Sequence, residues 1–216
     1  MSYAIKEVFY TLQGEGANSG RPAVFVRFTG CNLWTGLEKD RLKGPGGCSA
    51  WCDTNFVGTD GAGGGKFRTP SNVVSAVLAL WPLPVTASRP AFVVCTGGEP
   101  LLQLDCELLT AFEAANIEVS VETNGTQEVP PGRLWLTVSP KANAPLRITQ
   151  GNELKLVYPQ EGMDPAHFAG LNFGHFFLQP LDGPQRVENT KRALDYCLNN
   201  PQWRLSLQTH KYIGIP

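Results

Sequence analysis

Cys31, Cys48 and Cys52 fall within 22 residues of one another, in a C-x16-C-x3-C spacing. Thiolates gathered in this way suit a metal centre, and two chemistries compete for them. A structural zinc site wants four closed ligands, yet His167, His175 and His210 are all remote in sequence. Three thiolates without a fourth suit a 4Fe–4S cluster with one iron left open to a substrate. Spacing alone ranks the two evenly. Cys48 and Cys52 stand at i and i+4, on one face of the chain if that turn is helical. The other cysteines, Cys95, Cys106 and Cys197, lie in apolar contexts and read as core packing.

A second motif, Thr96-Gly97-Gly98-Glu99-Pro100, follows the apolar run Ala91–Cys95. Paired glycines let a small ligand approach the backbone, and a strand-edge carbonyl can receive an ammonium group. Alone, such a turn is ordinary. It has company: Thr29-Gly30-Cys31, Thr123-Asn124-Gly125, Ser139-Pro140-Lys141, Gln179-Pro180 and Gln208-Thr209-His210 each follow another apolar run.

The elements that must carry these groups are short. Ala23–Phe28, Ala91–Cys95, Ile117–Glu122, Leu134–Val138, Glu153–Val157, His175–Leu178 and Trp203–Leu207 are nearly continuous in hydrophobicity, as strands covered on both faces are. Helical spacing marks Ser71–Leu80, capped at Thr69 or Ser71 with Pro70 in the first turn. It also marks Leu104, Leu108, Leu109 and Phe112 after Asp105, and Val187, Ala193, Leu194, Cys197 and Leu198. Alternating strands and helices give an α/β fold with a curved parallel sheet, a partial (β/α) barrel. Its helical layer is reduced between Leu134 and Leu178. The glycine-rich Gly58–Gly65 reads as a mobile surface loop.

Composition excludes several classes. The 216 residues point to one domain, 1–216, and 42% hydrophobic content excludes disorder. A net charge of −1 offers no basic field for nucleic acid or an anionic membrane. The apolar stretch Val73–Val85 is broken by prolines and too short to span a bilayer. A cytoplasmic location follows as the default, and in a reducing compartment the six cysteines read as ligands or core rather than disulfides.

Together, the three-cysteine loop and the Gly-Gly-Glu-Pro turn resemble the radical S-adenosylmethionine superfamily. The resemblance narrows along the whole chain. Tyr10-Thr11-Leu12-Gln13-Gly14-Glu15-Gly16, Arg27-Phe28-Thr29-Gly30-Cys31-Asn32-Leu33-Trp34 and Cys52-Asp53-Thr54 are similar to the 7-carboxy-7-deazaguanine synthase family. So are Glu122-Thr123-Asn124-Gly125, Ser139-Pro140-Lys141, Gln179-Pro180-Leu181-Asp182 and Gln208-Thr209-His210-Lys211-Tyr212. One departure stands out: the superfamily spacing is C-x3-C-x2-C, and family members with an enlarged first loop keep a C-x2-C pair.

The resemblance implies ring contraction of 6-carboxy-5,6,7,8-tetrahydropterin to 7-carboxy-7-deazaguanine with release of ammonia. It implies a 4Fe–4S cluster on Cys31, Cys48 and Cys52, S-adenosylmethionine, and magnesium on Thr54. The cofactor would lie along Trp51, Cys52, Asp53, Gly98, Glu99, Ser139, Pro140, Lys141, Gln179, Pro180, Leu181 and Asp182. Asp53 is a tempting metal ligand by charge, but the family pattern gives the metal to the threonine. The pterin would meet Leu12, Gln13, Gly14, Glu15, Thr96, Glu122 and His210, with Arg27 on its carboxylate. The sequence printed ends at Pro216, whose carboxylate would accept the pterin's amino group and ring N–H. A one-electron donor such as a flavodoxin and a homodimer are further expectations. Two other readings stay open at this point: an activase acting on a partner protein, and a zinc-stabilised binding protein.

Overall fold

The computed structural model describes residues 2–216. Nine strands form one sheet: β1 Tyr3–Leu12, β2 Pro22–Phe28, β3 Gly65–Phe67, β4 Ala91–Gly97, β5 Ile117–Thr123, β6 Trp135–Val138, β7 Gln150–Tyr158, β8 Asn172–Pro180 and β9 Trp203–Leu205. Their order is β3-β1-β2-β4-β5-β6-β7-β8-β9. From β2 to β9 every neighbour pair is parallel, while β1 runs antiparallel to both β2 and β3. The helices are α1 Pro70–Leu80, α2 Cys106–Ala114, α3 Arg186–Asn199 and the short α4 Thr209–Ile213.

Burial explains the parallel part. In β4, Ala91 through Thr96 are all buried, so this strand is covered on both faces. Each fully buried Val or Phe there contributes about 1.5–3 kcal/mol of transfer free energy. One face packs on Val73 and Val77 of α1 and Leu108, Leu109 and Phe112 of α2. Helix α1 starts where Thr69 accepts a hydrogen bond from the Asn72 amide and Pro70 opens the first turn. Helix α2 starts at Asp105, whose carboxylate accepts from the Leu108 amide, and ends at Asn116 with φ 53°. Between β5 and β8 no α-helix covers the sheet; a 3₁₀ turn, Pro165–Phe168, and apolar loop residues such as Leu146 and Met163 do so.

Three sequence readings need correction, and β1 is a strand that the apolar runs did not mark. The first strand, β1, carries no clean alternation, because a bulge between Ile5 and Glu7 shifts its register and places Lys6 among the buried positions. The glycine-rich Gly58–Gly65 is laid along β1 and not free: Gly61 donates to the Lys6 carbonyl, Val8 donates to that of Ala62, and Gly65 already belongs to β3. Cys106 is exposed at the start of α2, whereas Cys95 is buried and Cys197 packs partly against the core. Helix α3 turns a different face inward from the one its apolar residues suggest. Asn189 and Ala193 are buried, Tyr196 and Cys197 pack beside them, and Val187, Leu194 and Leu198 point outward. Asn189 fixes that rotation by donating its side-chain amide to the Leu181 carbonyl at 2.9 Å.

Candidate active site

The carboxyl edges of the parallel strands open into one cavity of about 870 Å³. That is towards the upper end of small-molecule sites, which run to about 1,000 Å³. Three groups of residues line it.

The first group is the thiol loop. Cys31, Cys48 and Cys52 all face the cavity. Cys48 and Cys52 sit on successive corners of a tight turn, Gly47–Ala50, closed by a hydrogen bond from the Cys52 amide to the Cys48 carbonyl at 2.8 Å. The i, i+4 reading of that pair is therefore realised. The long insert before it folds back, so that Arg41 donates from one Nη to the carbonyls of Ser49 and Cys52. Burial pushes the Cys31 thiol up, and pushes Cys48 up to about 11 despite the nearby Lys141 ammonium. Such thiols want a metal partner to become thiolates. No group of three or more His, Cys, Asp or Glu converges on one point as ligands of a single ion, among the described residues.

The second group is the Gly97-Gly98-Glu99-Pro100 turn. Gly97 adopts φ 145°, and a Cβ on it would lie 2.2 Å from the Phe28 carbonyl oxygen. A Cβ on Gly98 would lie 2.2 Å from the Gly30 carbonyl oxygen and 2.8 Å from Cys31 Cβ. The glycines therefore let this turn lie flush against the Thr29-Gly30-Cys31 edge. Gly98→Ala is expected to push the Cys31 loop away, because the obstructing atoms are backbone. Iron content after anaerobic reconstitution should fall well below the wild-type value; full iron content would contradict the packing role.

Two residues of the expected cofactor set do not face the cavity. Glu99 is fully buried, with both oxygens occupied: Oε1 accepts from the Leu101 amide and Thr123 hydroxyl, Oε2 from the Asn124 amide. Its carboxylate ties the end of β4 to the end of β5. Pro140 stands behind Ser139 and Lys141, its carbonyl accepting from Gln160. Every other residue expected at the site lines the cavity: Leu12, Gln13, Gly14, Glu15, Arg27, Trp51, Asp53, Thr54, Thr96, Gly98, Glu122, Ser139, Lys141, Gln179, Pro180, Leu181, Asp182, His210 and Pro216.

The third group is a polar floor. Gln13 donates to Glu122 Oε1 at 3.1 Å and accepts from the Glu15 amide at 3.0 Å. Thr96 donates to Glu122 Oε2 at 3.3 Å. Gln179 and Gln208 both donate to Glu15 Oε1, while Gln179 Oε1 is buried without a partner among the described residues. An orphaned acceptor of this kind in a cavity wall calls for a ligand N–H or O–H. Lys155, on β7, contacts Glu15 and also donates to Glu122 Oε1 at 3.3 Å. Burial alone would push its ammonium down, but Glu122, Glu15 and Glu153 outweigh that and hold it well above its ordinary value. Burial raises Glu15, but Lys155 together with Gln208 and His210 reverses it, leaving this carboxyl below its usual range.

The rim is closed by residues 208–216. Thr209 donates from both its amide and its hydroxyl to the Gly14 carbonyl. His210 packs so tightly on Gly14 that a Cβ there would lie 2.3 Å from Nδ1. Thr11 donates its hydroxyl to a Pro216 oxygen at 3.1 Å. Lys211 pairs with Asp53 at 2.6 Å and Asp182 at 2.7 Å. Arg27 makes an ion pair within the cavity wall: Nε donates to Glu7 Oε1 at 2.7 Å. Glu7 itself lines the cavity, and the sequence reading missed it because the bulge hides its strand. Lys155 and Glu153 were missed too, being charged residues inside an apolar strand run.

No protein-family model matches the sequence. Curated relatives are much closer. A 7-carboxy-7-deazaguanine synthase from Burkholderia multivorans is 55% identical over 216 residues, with all of both chains covered. One from Bordetella pertussis is 57% identical over 218 residues, again over the full length of both. Among solved structures, QueE from Escherichia coli superimposes with a TM-score of 0.69 at 26% identity, covering 96% of this chain and 94% of that one. The molecule is thus an enzyme of the radical S-adenosylmethionine type. Within that class, the chain belongs to the 7-carboxy-7-deazaguanine synthase family. The activase and zinc-binding alternatives fall away with that assignment.

Proposed function

We propose that the cavity carries out the family's reaction with its three residue groups in separate roles. One observation carries this reading: three thiols, a glycine-lined turn and a hydrogen-bonded carboxylate floor face the same 870 Å³ space. Cys31, Cys48 and Cys52 would hold a 4Fe–4S cluster, and the glycine edge, Trp51-Cys52-Asp53, Ser139, Lys141 and Gln179 to Asp182 would hold S-adenosylmethionine. Those two groups, once bound, supply the one-electron chemistry that begins the ring contraction.

The chain's own part is binding and orientation. Arg27 presents its free Nη edge to the substrate carboxylate, with Glu7 holding the guanidinium by Nε. Glu15 and Glu122 offer ionised oxygens to the pterin's N–H donors. His210 closes over the ring, and Pro216 adds an acceptor from the other side. The Lys211 bridge to Asp53 and Asp182 joins the thiol loop to the edge of β8 at the rim.

Magnesium is part of the proposal, on the hydroxyl of Thr54 together with substrate and water oxygens. Thr54→Ala should shift the magnesium titration of turnover to higher concentration while leaving iron content and cofactor cleavage without pterin in place. An unchanged titration would reject a metal role for this hydroxyl. A flavodoxin-like donor, a second copy of the chain as partner and a cytoplasmic site of action complete the reading. No helix is long and apolar enough to cross a membrane, among the described residues.

Anaerobic reconstitution tests the reading as a whole. The expected result is a brown protein with four irons per chain that cleaves S-adenosylmethionine under dithionite. A colourless protein retaining one tightly bound zinc would overturn it.

A further inference from the structure

The buried ammonium on β7 has no part in the roles above, yet it touches both carboxylates of the floor. Lys155 contacts Glu15 Oε2 and lies 3.3 Å from Glu122 Oε1, with its own side chain 5% exposed. Glu15 comes from the loop after β1 and Glu122 from β5, so the lysine joins two elements that are not neighbours in the sheet. The next inward-facing residue of the same strand, Glu153, secures that loop from below. Its oxygens accept from the Ala17 amide at 2.9 Å and the Thr137 hydroxyl at 3.0 Å.

We propose that Lys155 is a positioning residue for the pterin: it holds Glu15 and Glu122 side by side, both ionised, as the acceptor pair for the substrate's N–H donors. This rests on the reading of the cavity as the pterin site. The physical need is plain. Two carboxylates enclosed together do not both stay ionised unless a cation lies between them. A half-protonated pair would turn one oxygen from acceptor to donor and set it against a substrate donor. Lys155 removes that conflict without touching the substrate. The other charged groups around the trio are Glu153 on β7, Lys141 after β6 and His210 on α4. Glu153 is already occupied by Ala17 and Thr137, and Lys141 by the Ser139 carbonyl and hydroxyl. Glu153 carries the same charge as the pair and the Lys141 ammonium is already engaged, so of the two ammonium groups only Lys155 joins the two carboxylates.

The test compares the anaerobically reconstituted wild type with Lys155→Met and Lys155→Arg. Each is titrated with 6-carboxy-5,6,7,8-tetrahydropterin in the presence of S-adenosylmethionine, without reductant, from about pH 6 to about pH 9. Loss of a charge-assisted pair weakens binding by about tenfold or more, which is the effect expected for Lys155→Met near neutrality. The ratio of its Kd to that of the wild type should shrink as pH rises and the shared proton leaves. Taking the ratio cancels any titration of the pterin itself. Lys155→Arg keeps the charge and should show a ratio that does not vary with pH. Cofactor cleavage without pterin should survive in both.

Wild-type binding together with a Lys155→Met ratio near one at every pH would overturn the proposal alone. Failure of the wild type to bind the pterin would overturn the reading of the cavity, and the proposal with it. A further measurement is available even if the methionine variant does not fold. Infrared spectra of the wild-type holoenzyme, assigned with Glu15→Gln and Glu122→Gln, should show both carboxylates ionised throughout the pH range. A protonated carboxyl from either at the acid end would contradict the arrangement.

Discussion

Cys48→Ala is expected to leave a protein that folds but neither turns brown nor cleaves S-adenosylmethionine. The thiol is buried against the loop that precedes it, and its carbonyl closes the turn by accepting from the Cys52 amide. That hydrogen bond is made by backbone atoms, so the substitution removes a ligand while keeping the turn. No other cysteine is available nearby: Cys95 is buried in the core of β4, and Cys106 and Cys197 do not line the cavity. Turnover should fall by far more than the about 100-fold that loss of a supporting partner costs at a metal site. Iron analysis and visible absorption after anaerobic reconstitution check it. Full iron content with wild-type turnover would remove Cys48 from the cluster and leave the C-x16-C-x3-C spacing without a metal role.

Arg27→Ala separates substrate binding from cofactor chemistry. A paired charge-assisted contact to a carboxylate contributes about 2–4 kcal/mol, so kcat/KM should drop by about 30- to 1000-fold. Most of the loss should appear in KM. Cofactor cleavage without pterin should be unaffected, because Arg27 touches Glu7 and none of the three thiols. Arg27→Lys should recover little, since a point charge cannot present two parallel donors and would lose the Nε contact to Glu7. Stopped-flow or steady-state kinetics with varied pterin distinguish the outcomes. Unchanged kcat/KM in Arg27→Ala would assign the substrate carboxylate to another cation.

How much of this was legible in the residues depended on what each had to satisfy locally. Strand β4 could be read because it is covered on both faces and its Ala-Phe-Val-Val-Cys run records that cover, while β5, β7 and β8 keep enough buried Val, Leu and Phe between their polar residues to stand out. The caps at Thr69 and Asp105 were legible because capping is settled within four residues. Strand β1 was not, since its bulge breaks the two-residue period and its pairing partners β2 and β3 lie far along the chain. Helix α3 misled for a related reason. Its apolar residues outnumber what the sheet can cover, and the buried Asn189 chooses the inward face through a contact to the Leu181 carbonyl.

The site divides in the same way. The Gly97-Gly98 turn was legible in the sequence, because positive φ and close backbone approach demand glycine. The structural bonds of Glu99 were not legible, because a carboxylate in a loop motif gives no sign of its three internal donors. Lys155 and Glu153 were overlooked for the opposite reason. Charged residues in an apolar strand look like exceptions, and their partners Glu15, Glu122, Thr137 and Ala17 come from elsewhere in the chain.

The central claim is that one cavity joins cluster chemistry to a tetrahydropterin substrate. Anaerobic incubation of the reconstituted protein with 6-carboxy-5,6,7,8-tetrahydropterin, S-adenosylmethionine, magnesium and dithionite tests it directly, with the products read by mass. The account predicts 7-carboxy-7-deazaguanine and an equal amount of ammonia, formed over many turnovers per molecule of S-adenosylmethionine supplied. Cleavage of S-adenosylmethionine at full rate with the pterin recovered unchanged would contradict it.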